Sequence, residues 1–160
     1  MFDNFQNIYE EKWLNMMRDK LGLFGDHKDD KKLINNLLNW MEKNKADYTN
    51  TFCYLMNIKI GNNNVYNNKD FINWSNNWQK RISENNNSKE KSLKLMNNVN
   101  PIIIPRNHKV EEALKAANED DLEVMNRLLS KLDNPYDEQK GIDDYQSPSS
   151  DESYQTFCGT

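Results

Sequence analysis

The sequence predicts an all-α fold, and three observations support this prediction. Apolar residues recur at intervals of three and four along most of the 160 residues, which is the spacing of one face of an α-helix. Capping and turn-forming residues fall between these apolar stripes, where one helix should end and the next begin. The apolar fraction is 36%, below the roughly 45–50% of typical domains, so the helices should share a lean core of large side chains.

The first two helices are predicted within the first 41 residues. Gly22 or Gly25 can end the first helix, and Asp26 stands where the N-cap of the second helix would be. The predicted core residues of the first helix are Ile8, Leu14, Met17 and Leu21. Those of the second helix are Leu33, Ile34, Leu37, Leu38 and Met41.

A third and a fifth helix are marked by their caps. Asp47 or Thr49 can cap the third helix, and Ser88 can begin the fifth. Residues 60–68 contain a glycine and five asparagines and predict a loop before the fourth helix. The predicted apolar residues are Phe52, Leu55 and Met56 in the third helix, and Leu93 and Met96 in the fifth.

The fourth helix is predicted from an aromatic stripe. Its apolar residues Phe71, Trp74, Trp78 and Ile82 are separated by three, four and four positions. The two tryptophans could form an aromatic ligand site. We interpret them as core, because a lean core needs large side chains and each can bury some 150–250 Å².

The last third of the chain predicts a helical hairpin and then a tail. Pro101 and Pro105 exclude a helix in the segment between them, so that segment should be extended. An αα-hairpin is predicted over residues 108–132. We therefore expect a helical region of six to seven helices over residues 1–133. Residues 134–160 should form an extended or disordered acidic tail with a terminal cysteine, because their composition buries too little apolar surface.

Charge, hydropathy and cysteine content disfavour several partners and cellular locations. The net charge is −4 and no cluster of lysine and arginine stands apart from acidic neighbours, so a nucleic-acid partner is disfavoured. No apolar run approaches the roughly 20 residues that cross a bilayer. The N-terminus is acidic and polar, unlike a signal or transit peptide. Two cysteines far apart do not make a disulfide framework, which favours a reducing compartment.

No self-contained catalytic motif is visible in the sequence. The five glycines form neither of the spacings that cradle phosphates. His27 and His108 belong to no metal-binding pattern, so no metal ligand is predicted. Cys53 or Cys158 could meet His108 in space as a Cys/His dyad, although the sequence does not favour that pairing.

Residues 100–138 carry a more specific pattern. The string NPIIIPRNHKVEEALKAANEDDLEVMNRLLSKLDNPYDE resembles the C-terminal region of the selenoprotein O family of kinase-like protein adenylyltransferases. Similar stretches in the first half extend the likeness to nearly the whole chain. The features that carry it are Asn100-Pro101, Arg106-Asn107, Ala113 to Ala117, Glu119 to Asp121, Leu128 to Leu132, Pro135-Tyr136-Asp137, and earlier MMRDKLGL at 16–23, Leu37-Leu38, ADYTNTF at 46–52 and Trp78 with Arg81.

The resemblance implies that this chain is the irregular helical C-terminal region of a kinase-like protein. It implies AMP transfer from ATP to protein serine, threonine or tyrosine hydroxyls, with ATP and Mg²⁺ bound by the full-length protein. The catalytic and ATP-binding residues of the family lie in a kinase-like part outside the matched region. The resemblance therefore assigns no catalytic, cofactor-binding or metal-binding residue to this chain. Its implied partners are that kinase-like part and protein substrates, and its implied location is the bacterial cytoplasm or the mitochondrion.

Cys158 is the redox candidate. Family members often end with a selenocysteine or cysteine two residues before the end, and Cys158 precedes Gly159 and Thr160. The resemblance implies a reversible disulfide with a thiol of the kinase-like part. Cys53 stands where the family pattern predicts arginine, so a small buried role is expected for it.

Two function classes remain open at this level. In the first, the chain braces the catalytic part of a protein adenylyltransferase and presents a redox-active cysteine. In the second, it is a stand-alone helical protein-interaction module without enzymatic activity.

Overall fold

The computed structural model of the protein describes residues 2–61, 64–84 and 88–149, with side chains from residue 4 onward. Every regular element in these ranges is helical, which confirms the predicted all-α class. The elements are α1 (Phe2–Lys20), α2 (Asp30–Lys43), α3 (Tyr48–Leu55), a 3-10 helix (Asn64–Asn67), α4 (Lys69–Glu84), α5 (Lys89–Val99), α6 (Asn107–Asn118), α7 (Glu123–Leu132) and α8 (Asp143–Gln146).

The chain divides into two compact units, Met1–Asn100 and Pro101–Thr160. The first unit contains α1 to α5, in which α2 packs against α4 and α1 packs against both α2 and α5. The second unit contains α6 and α7, which pack against each other as the αα-hairpin predicted over residues 108–132, and the short helix α8.

Aromatic side chains fill the core of the first unit. The rings of Trp74 and Trp78 lie 6.0 Å apart and nearly parallel, and Phe71 lies beside Trp74 at 5.7 Å. The indole N–H groups of these tryptophans donate to the backbone carbonyls of Leu33, at 2.8 Å, and Leu21, at 2.9 Å. Both tryptophans are therefore buried core residues whose polar atoms are satisfied, as their spacing predicted.

Two predicted N-caps are present. The Asp47 carboxylate accepts a hydrogen bond from the Asn50 backbone N–H at 2.8 Å at the start of α3. The Ser88 hydroxyl accepts one from the Lys91 N–H at 3.3 Å at the start of α5. Each side chain accepts a hydrogen bond from a backbone N–H in the first turn of its helix, as an N-cap does.

Two predictions for α1 and α2 were wrong. Asp26 does not cap α2, which begins four residues later at Asp30. Instead its exposed carboxylate forms an ion pair with Arg18 at 2.7 Å. A capping pattern in the sequence cannot reveal such a contact with another helix. Ile8 does not join the core but remains exposed. The periodic pattern could not distinguish an apolar residue that packs within the chain from one on an outer face of the same helix.

Four helices end in the same backbone motif. At the end of α1 the N–H of Leu23 donates to the Arg18 carbonyl at 2.9 Å, and the N–H of Gly22 donates to the Asp19 carbonyl at 3.0 Å. This is the Schellman arrangement, and it requires a positive φ, which is +67° at Gly22. Gly22, rather than Gly25, therefore ends α1. The equivalent positions after α2, α3 and α6 are Lys45, Asn57 and Asp120.

The segment between Pro101 and Pro105 is not helical, as predicted. The backbone N–H of Ile102 donates to the Pro135 carbonyl at 2.7 Å. The sequence favoured an extended or disordered segment from residue 134 onward, yet residues 143–146 form α8. Ile142, just before this helix, and Gln146, its last residue, are both buried and anchor a stretch that is otherwise largely exposed. Residues 150–160 lie outside the described part of the chain.

Candidate functional site

The first unit contains a cluster of buried charges around Asp30. The Asp30 side chain is fully buried at the first residue of α2. One carboxylate oxygen accepts from Arg81 Nε at 2.7 Å, and the other accepts from Arg18 Nε at 2.8 Å and from the His27 backbone N–H at 3.1 Å. The cluster thus joins α1, α2 and α4 through one carboxylate.

Arg81 is the second buried member of this cluster. Its terminal nitrogen also donates to the backbone carbonyls of Phe24 and Gly25, at 3.2 and 3.0 Å. Burial alone would raise the pKa of Asp30, but the hydrogen bonds and charge of Arg81, together with the hydrogen bond from Arg18, hold the pKa of Asp30 below its ordinary value. Asp30 is therefore ionised at neutral pH and holds the loop between α1 and α2 against α4.

A polar cleft of about 320 Å³ adjoins this cluster. It is lined by side chains of both charge signs from α2, α4 and the loop before α2. They include His27, Lys32, Lys80 and Glu84. The positive groups that face the cleft are balanced by carboxylates, and no glycine-rich backbone lines it. The cleft therefore carries no excess of positive charge.

A second cleft, of about 450 Å³, lies between α4 and α5. Its lining mixes apolar side chains such as Ile82 and Leu93 with polar ones such as Gln79 and Lys89. No acid, base and nucleophile are grouped there in the described chain, so its geometry supports no particular reaction.

Lys20, at the end of α1, lies over two aromatic rings. Its amine is 4.8 Å from the centre of the Phe52 ring and 5.5 Å from that of Tyr48. Burial lowers the pKa of Lys20, against an opposing influence from Cys53. The rings offer the half-buried cation a favourable electrostatic contact, so the arrangement ties α1 to α3.

The residues that the sequence singled out fall in different parts of the chain. Cys53 is fully buried in α3, which agrees with the small buried role expected for it. His27 belongs to the first unit and its backbone, rather than its ring, contacts Asp30. Burial lowers the pKa of His108 in the second unit, as do the charges of Lys109 and Arg106. Cys158 lies outside the described residues, so its pairing and its redox role stay predictions.

Within residues 2–61, 64–84 and 88–149, no three or more histidine, cysteine or carboxylate side chains are grouped so that they could hold a metal ion. None of the helices described here has the length and apolar character needed to cross a bilayer.

Sequence reasoning missed the buried charge of Asp30, although a signal was present. Asp30 precedes Ile34 by four positions and Leu37 by seven, so it lies on the apolar face of α2. Arg81 follows Trp78 by three positions on the apolar face of α4, and it was noted only as part of the family resemblance. A charge of each sign on two stripes that pack together predicts a buried ion pair.

The fold and this cluster define an all-α protein in which buried charges link helices. A family model described as protein adenylyltransferase SelO matches residues 1–133. The protein nucleotidyltransferase YdiU of Pelagibacter ubique is 56% identical over 160 residues, which cover 99% of this chain and 33% of the relative. The proteins of the same name from Clostridium perfringens and Bacillus mycoides are 45% and 46% identical over 159 residues, covering 98% of this chain and 32% and 33% of the relatives.

The chain belongs to the SelO family of protein adenylyltransferases. This confirms the resemblance that residues 100–138 and the earlier motifs indicated. The chain spans about a third of the length of the relatives it matches.

Proposed function

We propose that this chain is the C-terminal helical part of a protein adenylyltransferase, and that it braces the kinase-like catalytic part of that protein. The observation that carries the proposal is the family match over residues 1–133 in a chain that covers only 33% of its Pelagibacter relative. The remaining length is sufficient for a complete catalytic part. The bacterial relatives favour the bacterial cytoplasm as its location.

In the proposed reaction a serine, threonine or tyrosine hydroxyl of a protein attacks the α-phosphorus of ATP. A phosphate ester of AMP forms, pyrophosphate leaves, and the hydroxyl proton passes to a base. ATP and Mg²⁺ would be bound by the remaining two thirds of the protein. The buried Asp30–Arg81 pair holds α2 against α4. It supports a bracing role because a catalytic part can be braced only by a helical body that is itself held together.

The proposal is tested with a chimera of the Pelagibacter relative. The matched third of that protein is replaced by this chain, which is 56% identical to it. The chimera and the isolated 160-residue chain are each incubated with Mg²⁺, ATP labelled on the α-phosphate and a protein substrate that the unmodified relative labels. We expect label on protein with the chimera and none with the isolated chain.

Label transferred by the isolated chain would contradict the bracing role, because the chain would then hold the catalytic residues itself. A folded chimera that transfers no label, beside an active parent, would favour the stand-alone interaction module instead. The matched control replaces the same third by the sequence of the Bacillus mycoides relative, which is 46% identical to this chain.

Cys158 is proposed to form a reversible disulfide with a thiol in the kinase-like part. Support comes from the resemblance of Cys158, Gly159 and Thr160 to a cysteine-bearing motif of the family. Cys53 is a poor alternative, because a fully buried thiol is closed to a partner.

Oxidised glutathione should convert the two thiols of the chimera to one disulfide, with loss of two hydrogen atoms and reduction of the glutathione. We expect intact-mass spectrometry to detect this loss in the chimera and in its Cys53→Ser variant, but not in Cys158→Ser. Dithiothreitol should reverse it. An unchanged disulfide in Cys158→Ser would contradict the proposed pairing.

A further inference from the structure

Helix α1 carries two apolar faces, and only one of them is covered in the described structure. Met17 is buried on the side that packs within the first unit. Four other large side chains of α1 are exposed, and we call them the outer stripe. They are Phe5 (71% exposed), Ile8 (48%), Tyr9 (60%) and Met16 (48%).

The outer stripe follows one side of the helix. At about 100° per residue, its four members fall within an arc of roughly 100°. Met17 and Leu21 lie on the far side of the helix from the centre of that arc. The stripe extends over roughly 16 Å from Phe5 to Met16, at about 1.5 Å per residue. Lys12 lies within it, where its alkyl stem can add to the apolar surface while the amine reaches water.

Exposed single apolar residues are ordinary on protein surfaces, but four large ones on one side of a helix are not. Two of the four are aromatic, and aromatic side chains and methionine are enriched where proteins pack together. The position of α1 is fixed independently of the stripe, because Arg18 joins Asp30 and Gly22 contacts α5. The stripe is thus presented on an anchored helix.

We propose that the outer stripe of α1 is the surface on which the remaining two thirds of the full-length adenylyltransferase pack. This rests on the proposed function, because it takes the chain to be part of such a protein. The chain accounts for 33% of its Pelagibacter relative, so the relative contains a body of protein about twice its size that can pack against it. A stripe that no described residue of this chain covers is suited to that contact. A second copy of the chain is the competing occupant.

The test compares the oxidation of side chains in the isolated chain and in the chimera. Hydroxyl radicals produced in solution oxidise exposed methionine and aromatic residues, and peptide mass spectrometry locates the products. We expect Phe5, Tyr9 and Met16 to be oxidised several-fold more slowly in the chimera. Oxidation of these residues at the same rate in both proteins would overturn the proposal.

A matched pair of variants separates packing from folding. Ile8 and Ile72 lie on α1 and α4 and are each 48% exposed. In the chimera, Ile8→Glu should restore fast oxidation of Tyr9 and Met16, whereas Ile72→Glu should not. Both variants of the isolated chain should keep the wild-type helical circular dichroism, because both side chains are exposed. Continued protection in the Ile8→Glu chimera would contradict the proposal.

The remaining outcomes of this experiment distinguish the docking surface from the proposed function and from a dimer. If the stripe of the isolated chain becomes protected as its concentration rises, with a dimer seen by light scattering, a second copy is the occupant and the proposal fails. A chimera that transfers AMP but leaves the stripe exposed overturns the docking surface and leaves the proposed function standing. A chimera with a protected stripe and no transfer supports the docking surface and counts against the proposed function.

Discussion

Replacing Arg81 with methionine should lower the free energy of unfolding of the chain by about 3–5 kcal/mol at neutral pH, the usual cost of breaking a buried ion pair by removing one partner. Methionine keeps much of the length and apolar packing of arginine but removes its charge and donors. The fully buried Asp30 would then keep only Arg18 and the His27 N–H. The carbonyls of Phe24 and Gly25 would also lose their donor. Urea denaturation followed by tryptophan fluorescence measures the change.

The loss of unfolding free energy caused by Arg81→Met should be smaller at acidic pH than at neutral pH. In the wild-type chain the pKa of Asp30 is lowered on folding, so its stabilisation is present above the ordinary carboxyl pKa of about 4 and is lost as the pH falls through the lowered pKa. Without Arg81 the burial of Asp30 is opposed by less positive charge, and its pKa in the folded chain rises. The variant should therefore lose less stability on acidification. The difference in the free energy of unfolding between wild type and variant should therefore narrow as the pH falls below the ordinary carboxyl pKa of about 4.

Lys31→Met provides the control. Lys31 is the next residue of α2, and its amine pairs with Glu10 at 2.9 Å with both side chains about half exposed. Surface pairs of this kind contribute little, so its urea midpoint should match the wild type. If Arg81→Met and Lys31→Met lowered the free energy of unfolding equally, the buried Asp30 cluster would contribute no more to stability than a surface ion pair. The double variant Asp30→Asn, Arg81→Met should be less destabilised than the sum of the two single changes, because the unpaired charge is absent.

The helices were predictable because their signals are local. The stripe from Phe71 to Trp78 repeats at the helical period, and Asp47 and Ser88 occupy capping positions that depend on residues only three further along. The same periodicity placed Ile8 in the core. Period alone identifies the apolar faces of a helix, but which face packs depends on contacts with α2 and α5 that are distant in the sequence.

The buried cluster was harder to predict for a related reason. Asp30 and Arg81 are 51 positions apart, and each alone reads as a surface charge. Only the pairing of α2 with α4 turns two charges on apolar stripes into a buried ion pair. The family, in contrast, could be recognised from residues 100–138, because an ordered series of short motifs requires no knowledge of their contacts.

Replacing Gly22 with alanine should destabilise the chain by about 3 kcal/mol, because two costs add at this position. The first is the left-handed backbone conformation, with φ at +67°, which costs an alanine roughly 1 kcal/mol. The second is steric. A Cβ atom at Gly22 would lie 2.8 Å from the backbone carbonyl oxygen of Ser92 and 3.0 Å from Met96 Cγ, and overpacking of this kind typically costs about 1–3 kcal/mol.

Gly25→Ala isolates the cost of placing an alanine in the left-handed backbone conformation. Its φ is +65°, but a Cβ atom there would meet nothing within 4 Å. We therefore expect Gly25→Ala to cost only about 1 kcal/mol, since it carries the conformational strain without the clash. Comparable urea midpoints for the two variants would contradict the close approach of α1 to α5. Because a carbonyl of α5 cannot move without disturbing its helix, Gly22→Ala should separate the two helices, and faster hydrogen exchange in α5 than in α2 would locate the damage.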